Sequence, residues 1–180
     1  MWVYPEIRTL GDYPAYWAKH DPERLALRTA DRAVSFAAFD RLANQAAHFL
    51  LSHGAEADQL IGFIGKNSLD FYFALFGCAR TRGGLVVFNW RLAAPELAAQ
   101  MADSEARFII AEREMEPLLS AAFADMERIP DILWIDEADS FESQIAGQPD
   151  TRPDISVSEG DTAFQLYTSG TTGRAKGVML

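Results

Sequence analysis

The densest chemistry in the chain lies in one stretch, Tyr167-Thr168-Ser169-Gly170-Thr171-Thr172-Gly173-Arg174-Ala175-Lys176-Gly177, followed by Val178, Met179 and Leu180. Gly170, Gly173 and Gly177 permit positive φ and let backbone N–H groups come close to an anion. The hydroxyls of Thr168, Ser169, Thr171 and Thr172 can donate beside those amides, and Lys176 supplies a positive charge. This combination reads as a phosphate-binding loop suited to a triphosphate. Lys19, Lys66 and Lys176 are the only lysines in the sequence, so a lysine among these glycines is not background composition. Two standard phosphate loops do not fit. A Walker loop needs a Gly-Lys pair followed by Ser or Thr, whereas Lys176 follows Ala175 and precedes Gly177, and a dinucleotide fingerprint is absent. The plainer alternative is a Gly/Thr-rich surface hairpin.

Such a loop must be held by ordered elements. Phe164, Leu166 and Tyr167 before it and Val178 to Leu180 after it suggest strand, loop, strand. Upstream, Leu10, Tyr13, Tyr16 and Trp17 mark a short helix over Thr9 to Lys19, and Leu25–Thr29 with Val34–Phe36 suggest a small hairpin. Phe36, Phe39, Leu42, Ala46, Phe49 and Leu50 share one face of a long helix, with Ser35 as N-cap and Gly54 as its stop. Strands are expected at Leu60–Ile64, Leu85–Phe88, Arg107–Ala111, Ile132–Ile135 and Ala163–Tyr167. Helices are expected at Leu69–Arg82, from Pro95 to about Asp103, and at Glu114–Arg128. Asp136–Pro153 reads as an acidic connection. Strands alternating with helices predict an α/β layered domain whose largely parallel sheet is flanked by helices.

Composition narrows the partners. The 180 residues are 49% hydrophobic, enough for one globular domain with a core, and the net charge of −10 disfavours nucleic acid and anionic membrane surfaces. Met1 to Leu10 carries Glu6 and Arg8 and lacks an apolar signal core, and no apolar run is long enough for an integral membrane segment. Cys78 is the sole cysteine, which excludes an internal disulfide, fits a reducing compartment and reads as core packing; a cytoplasmic location is expected. His20, His48 and His53 belong to no cluster at metal-ligand spacing. Trp17, Trp90 and Trp134 read as core or interface residues.

The loop resembles, almost residue for residue, the signature loop of the adenylate-forming superfamily, which includes acyl-CoA synthetases, luciferases and peptide-synthetase adenylation domains. The one departure is Ala175, where the family usually has proline; losing that fixed φ loosens the loop by about 0.4 to 1 kcal/mol of chain entropy without touching the phosphate donors. Phe36-Ala37-Ala38-Phe39-Asp40, Gly65-Lys66-Asn67-Ser68 and Phe88-Asn89-Trp90-Arg91-Leu92 are similar to further landmarks of acyl-CoA synthetases, in the family's order. Taken alone, Lys66–Ser68 and Asn89–Arg91 read as structural turns rather than ligand contacts.

The resemblance implies an enzyme that uses ATP and Mg²⁺ to convert a carboxylic acid, in the first instance a fatty acid, into an acyl-adenylate and pyrophosphate. The acyl group then passes to coenzyme A. It implies Thr168, Ser169, Gly170, Thr171, Thr172, Gly173 and Lys176 as the nucleotide-binding set, with Lys176 as the catalytic charge. It also implies that residues 1–180 form an incomplete N-terminal domain of a longer ligase, ending just after the loop 167–177. The adenine, metal, acyl and coenzyme A sites would then lie downstream, and the 180 residues alone would be inactive. A homodimer is compatible with this reading. The alternatives are a peptide-synthetase adenylation domain, a luciferase-like enzyme, and a truncated nucleotide-binding or interaction module.

Overall fold

The computed structural model describes residues 4–124, 126–168 and 175–180. Helix α1 (Asp12–His20) opens the described chain. An antiparallel hairpin of β1 (Leu25–Arg28) and β2 (Ala33–Ser35) follows, then helix α2 (Phe36–Ser52). Ser35 caps α2 by accepting from the Ala38 amide at 3.4 Å, and Gly54 takes the left-handed conformation (φ 85°) just beyond its end. The remaining elements are β3 (Leu60–Ile64), α3 (Leu69–Cys78), β4 (Gly84–Phe88), α4 (Ala94–Ser104), β5 (Phe108–Glu112), α5 (Glu116–Phe123), β6 (Asp131–Ile135), α6 (Phe141–Ile145), β7 (Phe164–Thr168) and β8 (Lys176–Met179).

Six strands form one sheet in the order β6-β5-β3-β4-β7-β8. All neighbouring pairs are parallel except β7–β8, so the expected α/β domain with a largely parallel sheet is the fold observed. Side-chain alternation sends each strand's apolar residues to both faces, as a sheet covered on both sides requires. Ile61, Phe63, Leu85, Phe108 and Ile110 pack under α2 and α3, together with Phe39, Leu50 and Phe73. Ile64, Val86, Phe88, Ile109 and Ala111 pack under α4 and α5, against Leu97, Met101 and Leu119. Cys78 is fully buried in the first of these clusters, and burial pushes its thiol pKa up.

Three expected elements differ from the structure. The helix expected over Leu69–Arg82 ends at Cys78. Arg80, whose side chain has no solvent exposure, turns back to donate to the Gly11 carbonyl (3.0 and 3.1 Å), to the Asp40 carbonyl (3.0 Å) and carboxylate (2.6 Å), and to Asn44 Oδ1. Past Cys78 the backbone tightens into i→i−3 turns, with Arg80 N donating to the Gly77 carbonyl at 3.0 Å and Thr81 N to the Cys78 carbonyl at 2.9 Å, and Arg82 follows at φ 64°. The helix expected over Glu114–Arg128 is divided into a 3-10 turn, Arg113–Met115, and the short α5, because Pro117 has no amide to donate and suits only a first turn. The acidic connection contains α6, which Ser140 caps by accepting from Ser143 N at 3.2 Å and which buries Phe141 and Ile145, one helical turn apart.

Candidate functional site

Because β7 runs parallel to β4, it delivers its last residue, Thr168, to the carboxyl edge of the sheet. There the chain enters the loop and returns as the antiparallel β8, starting at Lys176. The register pairs Gln165 with Met179, Leu166 with Val178, Tyr167 with Gly177 and Thr168 with Lys176. Directly opposed residues share a face, so Thr168 and Lys176 project together, both exposed, on the α3 side of the hairpin. They are the two predicted site residues that the structure describes. Ser169, Gly170, Thr171, Thr172 and Gly173 lie outside the described residues. Lys19 and Lys66 are engaged with Glu6 (3.5 Å) and Glu114 (2.7 Å).

Gly177 is used differently from the sequence expectation. Among the described glycines only Gly54 has positive φ. What Gly177 supplies is clearance, since a Cβ there would stand 2.5 Å from Gln165 Nε2 and 3.0 Å from its Cδ. Gln165 is a buried polar residue, 6% exposed, and its amide fills the space that Gly177 leaves. On the same face, Tyr167 Oη lies 2.6 Å from Asp103 Oδ2 and 3.1 Å from the Gln100 carbonyl, both on α4.

The strand order places the other motifs on the same carboxyl edge, which is where open α/β sheets bind ligands. Gly65–Ser68 follows β3. Ser68 caps α3 through the Phe71 amide (3.3 Å), while Lys66 N donates to Glu112 Oε2 at 2.9 Å and Lys66 Nζ to Glu114. Asn89–Arg91 follows β4. Asn89 Oδ1 accepts from Arg91 N at 3.0 Å, and the Arg91 guanidinium lies 4.2 Å from the centre of the Trp90 ring. Both segments are turns: Lys66 is paired with carboxylates of the neighbouring strand end, and Asn89 with the Arg91 amide within its own turn. Glu112 and Glu114 were not visible as members of this cluster in the sequence. Burial raises the Glu112 carboxyl, whereas the hydrogen bond from Lys66 lowers Glu114. The contact follows from the pairing of β3 with β5, a partner distant in sequence, and no local pattern signals it.

Among the described residues no group of three or more His, Cys, Asp or Glu is placed to hold a metal, and no helix is long and apolar enough to cross a membrane. A cavity of about 510 Å³ beside α4, lined by Ala98, Met101, Met126 and Pro130 among others, includes none of the residues flanking the loop.

Residues 15–180 match the family described as AMP-binding enzyme. The sequence is 34% identical over 178 residues to a fatty acid–[acyl-carrier-protein] ligase, ScoC, of Streptomyces coeruleorubidus, an alignment covering 98% of this chain and 34% of that protein. It is 30% identical over 152 residues to the long-chain-fatty-acid–CoA ligase FadD13 of Mycobacterium tuberculosis, covering 84% of this chain and 30% of the relative. The fold superposes on the anthranilate CoA ligase AuaEII, solved in complex with anthranoyl-AMP, with a TM-score of 0.87 and 26% identity over 98% of this chain and 35% of that one. The chain thus spans about a third of the length of the proteins it matches.

Proposed function

Because the chain belongs to the AMP-binding enzyme family of adenylate-forming ligases, we propose that it is the N-terminal part of a longer ligase that activates a fatty acid with ATP and transfers it to coenzyme A. The observation that carries this reading is the pairing of Thr168 with Lys176 at the mouth of a glycine- and threonine-rich loop on the carboxyl edge of a parallel sheet. A carboxylate resists attack by a thiol because oxide would have to leave. Joining it to AMP supplies a good leaving group, so adenylation precedes thioester formation.

In the first step a carboxylate oxygen attacks the α-phosphorus of ATP, the bond to the bridging oxygen breaks, and negative charge develops on pyrophosphate. Backbone amides of the loop, the hydroxyls of Thr168, Ser169, Thr171 and Thr172, and the Lys176 ammonium would stabilise that charge electrostatically. Gly170 and Gly173 would let the backbone approach. In the second step the thiol attacks the acyl carbon and AMP leaves. In this proposal the protein ligands of the magnesium that the resemblance implies lie downstream of residue 180, and no step is assigned to the ion. A reducing compartment suits the single buried thiol, and the cytoplasm is the proposed location. A homodimer remains part of the proposal and is checked by sedimentation.

The 34% identity to a fatty acid–[acyl-carrier-protein] ligase favours a second reading, in which the acceptor thiol belongs to an acyl carrier protein. Both are tested by fatty-acid-dependent exchange of pyrophosphate into ATP in the longer enzyme, followed by addition of either acceptor. The reading expects exchange with a fatty acid and product with one acceptor. Absence of exchange with every fatty acid tried would overturn it.

A further inference from the structure

We propose that Tyr167 is a positioning residue that latches the loop-bearing hairpin to α4 and thereby holds the two strand ends, Thr168 and Lys176, in place. This rests on the functional reading only for what the loop binds; the latch stands on the geometry of the hairpin. The ladder between β4 and β7 runs through Leu85–Phe164, Val86–Gln165 and Val87–Leu166 and goes no further. Tyr167 and Thr168 therefore extend past the last strand pairing to the body of the sheet. On their other side lies only β8, which ends the strand order. Tyr167 is the next attachment toward the loop. Its hydroxyl points to α4, where the Asp103 carboxylate and the Gln100 carbonyl, three residues apart on one helical face, share it as acceptors at 2.6 and 3.1 Å.

Two further features fit a latch. Tyr167 packs at the margin of the apolar cluster beneath α4 and α5, so its ring orientation is constrained as well as its hydroxyl. Burial, reinforced by the Asp103 carboxylate, raises the phenol pKa, so the group stays protonated and able to donate at neutral pH. Across the hairpin, the absence of a side chain at Gly177 leaves room for the buried Gln165 amide. At the base of the loop, Tyr167 is thus bonded to α4, and Gln165, on the same face of β7, fills the space beside Gly177. Neither carries a charge, and neither is exposed to ligand as Thr168 and Lys176 are.

Amide hydrogen exchange of the 180-residue chain tests the latch without requiring turnover. Tyr167→Phe, which keeps the ring and deletes the hydroxyl, should speed exchange in the peptide spanning residues 164–180 by about ten-fold, the scale of one hydrogen bond to a charged acceptor. Amides of β3 and β5 should stay within about two-fold, because a local opening does not reach the core strands. Asp103→Leu should give a smaller acceleration, since the Gln100 carbonyl remains. Asp103→Asn, which keeps an acceptor oxygen, should restore most of the protection. Unchanged exchange in the 164–180 peptide of Tyr167→Phe would overturn the proposal. So would a uniform acceleration across β3 and β5, which would mark a purely global packing role. The functional reading is tested apart from this, by fatty-acid-dependent exchange of pyrophosphate into ATP in the longer enzyme. If the hydrogen-exchange pattern holds while that enzyme shows no pyrophosphate exchange with any fatty acid, the latch stands and the functional reading of the loop fails.

Discussion

Replacing Gly177 with alanine isolates one contact at the base of the loop. The new Cβ would stand 2.5 Å from Gln165 Nε2 and 3.0 Å from its Cδ, closer than non-bonded carbon and nitrogen pack. On an exposed glutamine this would be relieved by a rotamer change at little cost. Gln165 is 6% exposed and sits on a strand hydrogen-bonded on both sides, so relief requires a shift of the amide or of β8. Overpacking of this kind costs about 1 to 3 kcal/mol. With a urea m-value of about 2 kcal/mol per molar, a loss of about 2 kcal/mol lowers the unfolding midpoint by about 1 M. The double variant Gly177→Ala/Gln165→Ala separates the causes. Removing the amide deletes the clash, so the double variant should recover most of the loss relative to Gln165→Ala alone. A conformational requirement for glycine would leave the loss unrelieved. A midpoint for Gly177→Ala within about 0.2 M of the unsubstituted chain, or a full loss persisting in the double variant, would refute the clearance argument.

Arg80→Leu should destabilise the chain by about 3 to 5 kcal/mol in the same assay, because Asn44 Oδ1, Asp40 and the Gly11 carbonyl lose a buried partner. A loss below about 1 kcal/mol would show that water satisfies those acceptors. Cys78 should react with a thiol reagent only after denaturant is added, since it is fully buried and its thiol pKa is raised; rapid labelling of the native chain would contradict the core. Asp12 gives a pH signature. Burial pushes its carboxyl up, but hydrogen bonds from Arg152 and Thr9 outweigh this and leave the pKa below the ordinary 3.8. A carboxyl lowered by folding contributes stability that is present above its unfolded value and lost as pH falls through its folded value. Asp12→Asn should therefore flatten the stability profile below about pH 4 and lower the plateau above it. A profile parallel to that of the unsubstituted chain would remove Asp12 from the acid limb.

Much of this architecture was legible because its signals are local. Leu60–Ile64 is the strand observed, and Leu85–Phe88, Arg107–Ala111 and Ile132–Ile135 fall within one residue of theirs. Short apolar runs between glycines and helical stretches have few alternatives in an alternating pattern. The long helix α2 announced itself through Ser35, Gly54 and an unbroken apolar face. What was not legible depends on contacts distant in sequence. Nothing near Arg80 shows that it will be buried against Gly11 and Asn44. Helix α6 escaped notice because a five-residue helix with two apolar residues has no periodicity to detect. At the candidate site, the loop's residue types were plain in the sequence. The pairing of Thr168 with Lys176 needed the hairpin register, and the contacts of Tyr167 with Asp103 and of Gly177 with Gln165 needed the tertiary fold.

The central claim is that Lys176 neutralises charge on departing pyrophosphate. The most direct measurement compares two half-reactions of Lys176→Ala in the longer enzyme proposed above: pyrophosphate exchange, and thioester formation from preformed acyl-adenylate. Deleting one preorganised electrostatic group costs about 2.7 to 4 kcal/mol, or roughly a hundred- to a thousand-fold in rate. That loss should fall on exchange, while thioester formation, which starts after pyrophosphate has gone, should change far less. If Lys176→Ala left exchange within about threefold of the unsubstituted enzyme, a difference of only about 0.7 kcal/mol, the lysine would hold no such charge and this end of the chain would be a surface hairpin.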